Sequence, residues 1–297
     1  NAPRASLTGQ ASRALGEALL SPQWSTDELL AASKRLDKHH LEDFRERFLD
    51  GLYIDAMAVG NLTADQAREQ ASLIRGALTP RLTRDDIPTL APLEASEEST
   101  VLHPHSTREE SLVLRYLQGR DTSIDEQARL SVLAQWLDTP FYQQLRTEEQ
   151  LGYIVNAGYS PLLEAPGIGL IVQSPDVDSG TIAERMDAFM AAAGERLETL
   201  SDEELAAHRQ AVHDRLRQRD TSLQGMANRY WQATALDEVR FDRREQIAER
   251  ALEVSVEELQ ALWPALLAHP LDIRFNPGDA PSDIAAYRET LAPFDAR

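Results

Sequence analysis

The chain has 297 residues, 42% hydrophobic and 27% charged, which is enough for one large domain or two smaller ones. Its net charge of −19 argues against nucleic acid, whose binders need a basic face to release counterions, and favours basic or neutral peptides unless the acidity serves solubility alone. Cysteine is absent, excluding disulfides, thiolate metal sites and cysteine nucleophiles, and no stretch approaches the roughly 18 uninterrupted apolar residues of a membrane helix.

The opening residues Asn1, Ala2 and Pro3 include neither an initiator Met nor a signal-peptide pattern. The chain therefore reads as a piece of something longer, with its compartment open between periplasm and cytoplasm. From Gly9 to Leu49 apolar residues recur at helical spacing, and Ser25 with Glu28 makes a capping box, so two helices are expected. GLYIDAMAVGNLT, residues 51–63, reads as a buried strand running into a second capping box, Thr63 with Gln66, and a helix to about Leu78. Residues 79–98 hold Pro80, Pro88 and Pro92 among polar residues and make the best linker.

Two strand-like runs follow, STVLHPHS and SLVLRYLQ, then a helix from about Ser123, with Pro140 marking a fresh turn of a few residues at most. LGYIVNAGYS and GIGLIVQS look like a hairpin around Pro161 to Gly167. From Asp178 to His269 the spacing is helical, with cap-like breaks at Ser201 with Glu204, near Thr221, and at Ser255 with Glu258. LDIRFNPG is the last strand. The order predicts an α+β fold, with helices packed on one face of a mainly antiparallel sheet.

Metal ligation is poorly supplied. His39 and His40 precede Glu42, but Asp43 stands where an inverted zinc motif needs its second His. His208 and His213 are five apart, which points them about 140° apart on a helix. His103 and His105 share a strand face with no third ligand at a suggestive spacing, so no metal site is assigned. No G-x-S-x-G elbow and no glycine-rich phosphate loop occurs.

FYQQLRTEEQLGYIV, residues 141–155, stands apart because it places a guanidinium, a glycine and a phenol at a helix-to-strand junction. Arg146 on the last helical turns and Tyr153 at the strand mouth offer fixed donors for a peptide carbonyl and for an oxygen gaining negative charge. The alternative is that Arg146 pairs with Glu148 or Glu149 and Tyr153 is a half-buried strand aromatic.

LRTEEQLGY, Leu145 to Tyr153, resembles the hallmark L-R-T-x-E-Q-L-G-Y of the pitrilysin and insulin-degrading-enzyme family. IVQS at residues 171–174, NRYW from Asn228 to Trp231 and YIDAMAVGNLT are similar to further family segments, so the likeness spans nearly the whole chain. It implies a four-domain zinc endopeptidase whose halves close around a peptide. The N-terminal half carries the zinc motif and the C-terminal half supplies the Arg and Tyr. Residues 1–90 are then the C-terminal part of the third domain and 91–297 the fourth. Tyr153 would hydrogen-bond the oxyanion, Arg146 would hold a substrate carbonyl, and Gly152 would allow the close backbone approach that positions the tyrosine. The zinc motif is not among these 297 residues, so the resemblance implies zinc in the parent, none in this chain, and no hydrolysis by the chain alone. Its partners would be a peptide and the N-terminal half of the same polypeptide. Two rivals stay open: a non-catalytic partner subunit of a two-chain peptidase, and a scaffold. The sequence does not distinguish a general peptide scavenger from an enzyme that trims one small precursor in cofactor biosynthesis.

Overall fold

SLVLRYLQ carries apolar side chains on both of its faces, as a strand covered on two sides must. It is the central strand of the sheet in a computed structural model that describes residues 6–235 and 240–294. In chain order the elements begin with α1 (Leu7–Leu19), β1 (Leu20–Ser21), α2 (Thr26–Ser33), α3 (Lys38–Asp50) and α4 (Ala64–Leu78). Next come β2 (Ala91–Pro92), β3 (Thr100–Leu102), β4 (Ser111–Gln118) and α5 (Ile124–Tyr142), which runs into a π-helical turn, Gln143–Glu148. β5 (Ile154–Tyr159), β6 (Gly167–Ser174), α6 (Ser179–Glu198), α7 (Asp202–Arg217) and α8 (Leu223–Ala235) follow. The chain closes with α9 (Arg243–Leu252), α10 (Val256–Ala268), β7 (Leu271–Phe275) and α11 (Ile284–Glu289). Capping boxes start α2, α4, α7 and α10 at Ser25, Thr63, Ser201 and Ser255, because a hydroxyl and a Glu or Gln three residues on satisfy each other's exposed backbone N–H.

The chain forms two compact units that each draw on separated stretches of sequence. The first takes residues 1–23, 91–218 and 242–297, and the second residues 24–90 and 219–241. In the first, five strands lie in the order β3-β7-β4-β6-β5, antiparallel except for β3 beside β7. Side chains of α5, α6, α7, α9 and α10 pack on one face around Leu133, Phe141, Phe189 and Leu259. The architecture is thus the expected α+β one. The opposite face is also covered, by α1 and α11, which bury Leu112, Leu114, Tyr116, Ile273 and Phe275.

One charged group crosses this core. Arg115 on β4 is 5% exposed and lies beside its register partner Asp272, with Nε and Nη2 donating to the two carboxylate oxygens at 2.8 and 2.9 Å. Asp187 of α6 takes a third bond, and Arg274 donates to Asp272 at 2.6 Å. Burial works against the Arg115 charge, but the Asp272 and Asp187 carboxylates outweigh it and hold the group above its ordinary range.

The second unit contains α2, α3, α4 and α8, and no side chain of α2, α3 or α4 is buried. Phe44 stacks on Phe48 one turn on, at 5.7 Å between ring centres. Tyr230 of NRYW meets Phe241 edge to face, while Arg229 lies 4.4 Å over the Tyr230 ring and donates to Asp220 at 2.7 Å. A cavity of about 310 Å³ within this unit is lined by Tyr53, Ile54, Ile74, Arg75 and Leu82.

Three local expectations are corrected. Residues 51–63 form no strand, since among the described residues no segment ladders with them; instead the Leu52 carbonyl accepts from the N–H groups of Arg81 and Leu82. The segment from Gly9 to Leu49 holds parts of three helices rather than two, since Asp37 caps α3 by accepting from the His40 N–H at 3.0 Å. Helix α5 continues through Pro140 into the wider π turn rather than restarting there.

Candidate functional site

LRTEEQLGY is fastened at two apolar points. Leu145 is fully buried and Leu151 nearly so, and the Leu151 N–H donates to the Leu145 carbonyl at 2.9 Å. Between them the chain makes the π turn and then passes through Gln150 at φ 54°, a left-handed conformation that strains a non-glycine residue. Both features are enriched at functional sites.

Arg146 lies within the π turn and is half-buried. Among the described residues its guanidinium has no hydrogen-bond or ion-pair partner, although two glutamates follow within three positions. Those carboxylates are engaged elsewhere. Glu149 accepts from Arg185 Nε at 2.7 Å and Nη2 at 2.6 Å and from Gln144 at 3.0 Å, and Glu148 faces Gln143. The Arg185 fork holds the Glu149 carboxyl below its ordinary range.

Gly152 comes so close to the next strand that a Cβ built on it would lie 2.2 Å from the Gln173 carbonyl oxygen. Only glycine fits without backbone movement. The close approach lets the Tyr153 N–H donate to that same carbonyl at 3.0 Å, at the mouth of β5. Tyr153 is 48% exposed, so its phenol stands at the sheet end rather than within the core.

Two residues that sequence reasoning did not single out complete the arrangement. The Tyr153 phenol donates to Glu110 Oε2 at 2.6 Å, and Gln173 Nε2 donates both to that oxygen and to the phenol oxygen. Gln173 is 4% exposed, on β6 between its register partners Leu112 and Ile154. The Tyr153 and Gln173 donors pull the Glu110 carboxyl below its ordinary range, with Arg108 assisting. The same bond to Glu110 pushes the Tyr153 phenol up. IVQS pointed to the strand that carries Gln173, but Glu110 had no local signal, since its contacts reach 43 and 63 positions along the chain.

His40 pairs with Asp37 at the start of α3, His103 with Asp279 at 2.9 Å, and His213 with Asp214 at 3.1 Å, while burial pushes the His208 imidazole down. Among the described residues no group of three or more His, Cys, Asp or Glu is placed to hold a metal ion, and no helix is long and apolar enough to cross a membrane.

Comparison with known proteins adds a lineage to this geometry. Residues 132–231, which include Arg146, Gly152 and Tyr153, match the family described as PQQ synthase PqqF-like, C-terminal lobe domain 4. Protease 3 of Escherichia coli is 28% identical over 254 residues, covering 83% of this chain and 25% of that protein. Human insulin-degrading enzyme is 25% identical over 74% of this chain and 22% of its own length, and a nardilysin-like protein of Arabidopsis thaliana 25% identical over 80% and 24%. The chain thus spans about a quarter of these relatives. In fold it is similar to pitrilysin, with a TM-score of 0.81 at 22% identity over 93% of this chain and 31% of that one. It is also similar to a peptidase M16 inactive domain from Pseudomonas fluorescens, with a TM-score of 0.60 at 16% identity over 92% of this chain and 66% of that one. By sequence the chain is similar to about a quarter of these peptidases, with residues 132–231 matching a C-terminal lobe domain, and its fold is that of pitrilysin.

Proposed function

We propose that this chain is the substrate-contacting, non-metal half of a zinc-dependent endopeptidase, with residues 1–90 derived from its third domain and 91–297 from its fourth. The observation that carries this reading is one nine-residue segment, Leu145 to Tyr153, holding an Arg146 guanidinium that has no hydrogen-bond or ion-pair partner among the described residues and a half-exposed Tyr153. Guanidinium and phenol are fixed donors of the kind that bind a peptide carbonyl and an oxygen on which charge develops. In the proposed cycle Tyr153 donates to the scissile carbonyl oxygen as water adds to the carbon. Arg146 holds a neighbouring substrate carbonyl, and Gly152 keeps Tyr153 in register by its contact with β6.

In this proposal the metal belongs to the N-terminal half. Zinc, when bound there, supplies carbonyl polarisation and a water acidic enough to attack, which neither Arg146 nor Tyr153 replaces. The chain alone is therefore expected to be inert. Its physiological partners would be a peptide and that N-terminal half. The match of residues 132–231 to a lobe of a PQQ synthase favours the narrower form in which the peptide is a biosynthetic precursor.

Hydrolysis of an internally quenched peptide by the full-length protein tests this, with zinc measured on each sample. Tyr153→Phe and Arg146→Ala should lower turnover by roughly 10²- to 10³-fold at unchanged zinc content. Normal cleavage by both variants would make these residues structural and give the function to a partner-subunit role.

A further inference from the structure

One residue holds Tyr153 at both ends. The Tyr153 N–H donates to the Gln173 carbonyl at 3.0 Å, and the phenol oxygen accepts from Gln173 Nε2. Gly152 closes the same contact, because that carbonyl fills the space a Cβ would need. Gln173 is well anchored for such a task. It is 4% exposed on β6, a strand paired on both sides, with Leu112 and Ile154 as its register partners. Its amide is also fixed as a donor, since Nε2 donates to Glu110 Oε2 as well and turning the amide over would set Oε1 against that carboxylate. In the present orientation Oε1 is buried without a partner among the described residues, a cost that buried polar groups rarely carry without function.

Two groups hold the phenol, and only one of them can do so while it works. The 2.6 Å bond to Glu110 uses the phenol proton, the same proton that a substrate carbonyl accepts. The bond from Gln173 uses a lone pair of the oxygen instead, so it persists whichever acceptor takes the proton. It also polarises the O–H and makes it a stronger donor. Packing alone holds a ring that is 48% exposed only loosely, whereas a donor aids a reaction when its oxygen is set in place beforehand. We propose that Gln173 is a positioning residue, holding the phenol oxygen of Tyr153 at the sheet end and leaving the proton for the substrate carbonyl. This rests on the reading of Tyr153 as the carbonyl donor, and it extends the site from one segment into β6.

The test measures kcat and KM of the full-length protein on one internally quenched peptide, for wild type, Gln173→Met, Tyr153→Phe and the double variant. Methionine fills the buried space but has no N–H to donate. Gln173→Met should lower kcat by about tenfold, the scale of one hydrogen bond, with KM unchanged to within about twofold. In the Tyr153→Phe background the same substitution should cost less than about twofold, because no phenol oxygen is left to hold. A further tenfold loss there would show that Gln173 acts through the fold rather than through Tyr153, and would overturn the proposal. So would wild-type kcat in Gln173→Met beside an impaired Tyr153→Phe, a result that leaves the donor reading intact. Normal cleavage by Tyr153→Phe would instead sink the donor reading itself. Urea melts check that each variant folds; if Gln173→Met does not, Gln173→Asn, whose amide stops one methylene short of the phenol, takes its place in the same cycle with the same expected and overturning results.

Discussion

At Gly152 one hydrogen atom in place of a methyl group decides where the Tyr153 side chain stands. Gly152→Ala would set a carbon 2.2 Å from the Gln173 carbonyl oxygen, which is backbone and has no rotamer to escape into. The strand mouth must then open, and the Tyr153 N–H bond to Gln173 is lost with it. We expect Gly152→Ala to lower peptide turnover nearly as far as Tyr153→Phe and to destabilise the protein by about 1–3 kcal/mol, the usual scale of overpacking. Parallel activity assays and denaturant melts check this; full activity would show that Tyr153 tolerates a shifted strand end. Arg146, Gly152 and Tyr153 were legible in the sequence because their signal lies in one short segment. Glu110 and Gln173 were not, because their meeting with Tyr153 depends on the β4-β6-β5 pairing, and no local pattern encodes which strands become neighbours.

Among the elements, legibility followed the range of the interactions that make them. The capping boxes at Ser25, Thr63, Ser201 and Ser255 were readable because donor and acceptor lie three residues apart. A strand at residues 51–63 was expected from apolar content alone, but a ladder needs a partner and none is present among the described residues. The pair formed by Arg115 and Asp272 was also beyond local patterning, since β4 and β7 are separated by most of the helical layer. Asp272 serves two guanidiniums in the core, so Asp272→Asn leaves Arg115 with only the largely exposed Asp187. The expected loss is about 3–5 kcal/mol in the unfolding transition of the first unit, measured in urea, because breaking a buried pair strands a desolvated charge. Replacing Arg115 and Asp272 together by Met and Leu should recover much of it, and a double-variant loss as large as the two single losses added together would rule out an energetic role for the pairing.

For the whole molecule, the first unit is assembled from three separate stretches of sequence, and α1 is the most distant of them. This helix packs Leu7, Ala11, Leu15 and Leu19 against the face of the sheet that carries Leu112, Leu114, Tyr116 and Ile273. A gene cut at the proline-rich stretch near residue 90 would leave α1 behind and expose that apolar face. Heterologous expression of residues 91–297 alone should therefore give mostly inclusion bodies, while adding residues 1–23 in trans should return soluble protein. Soluble, cooperatively melting 91–297 would show that the sheet does not need this cover. Gene fusions, deletion series and circular permutants accordingly face a rule that linear domain maps do not state: the codons for α1 travel with those for the stretch beyond residue 90.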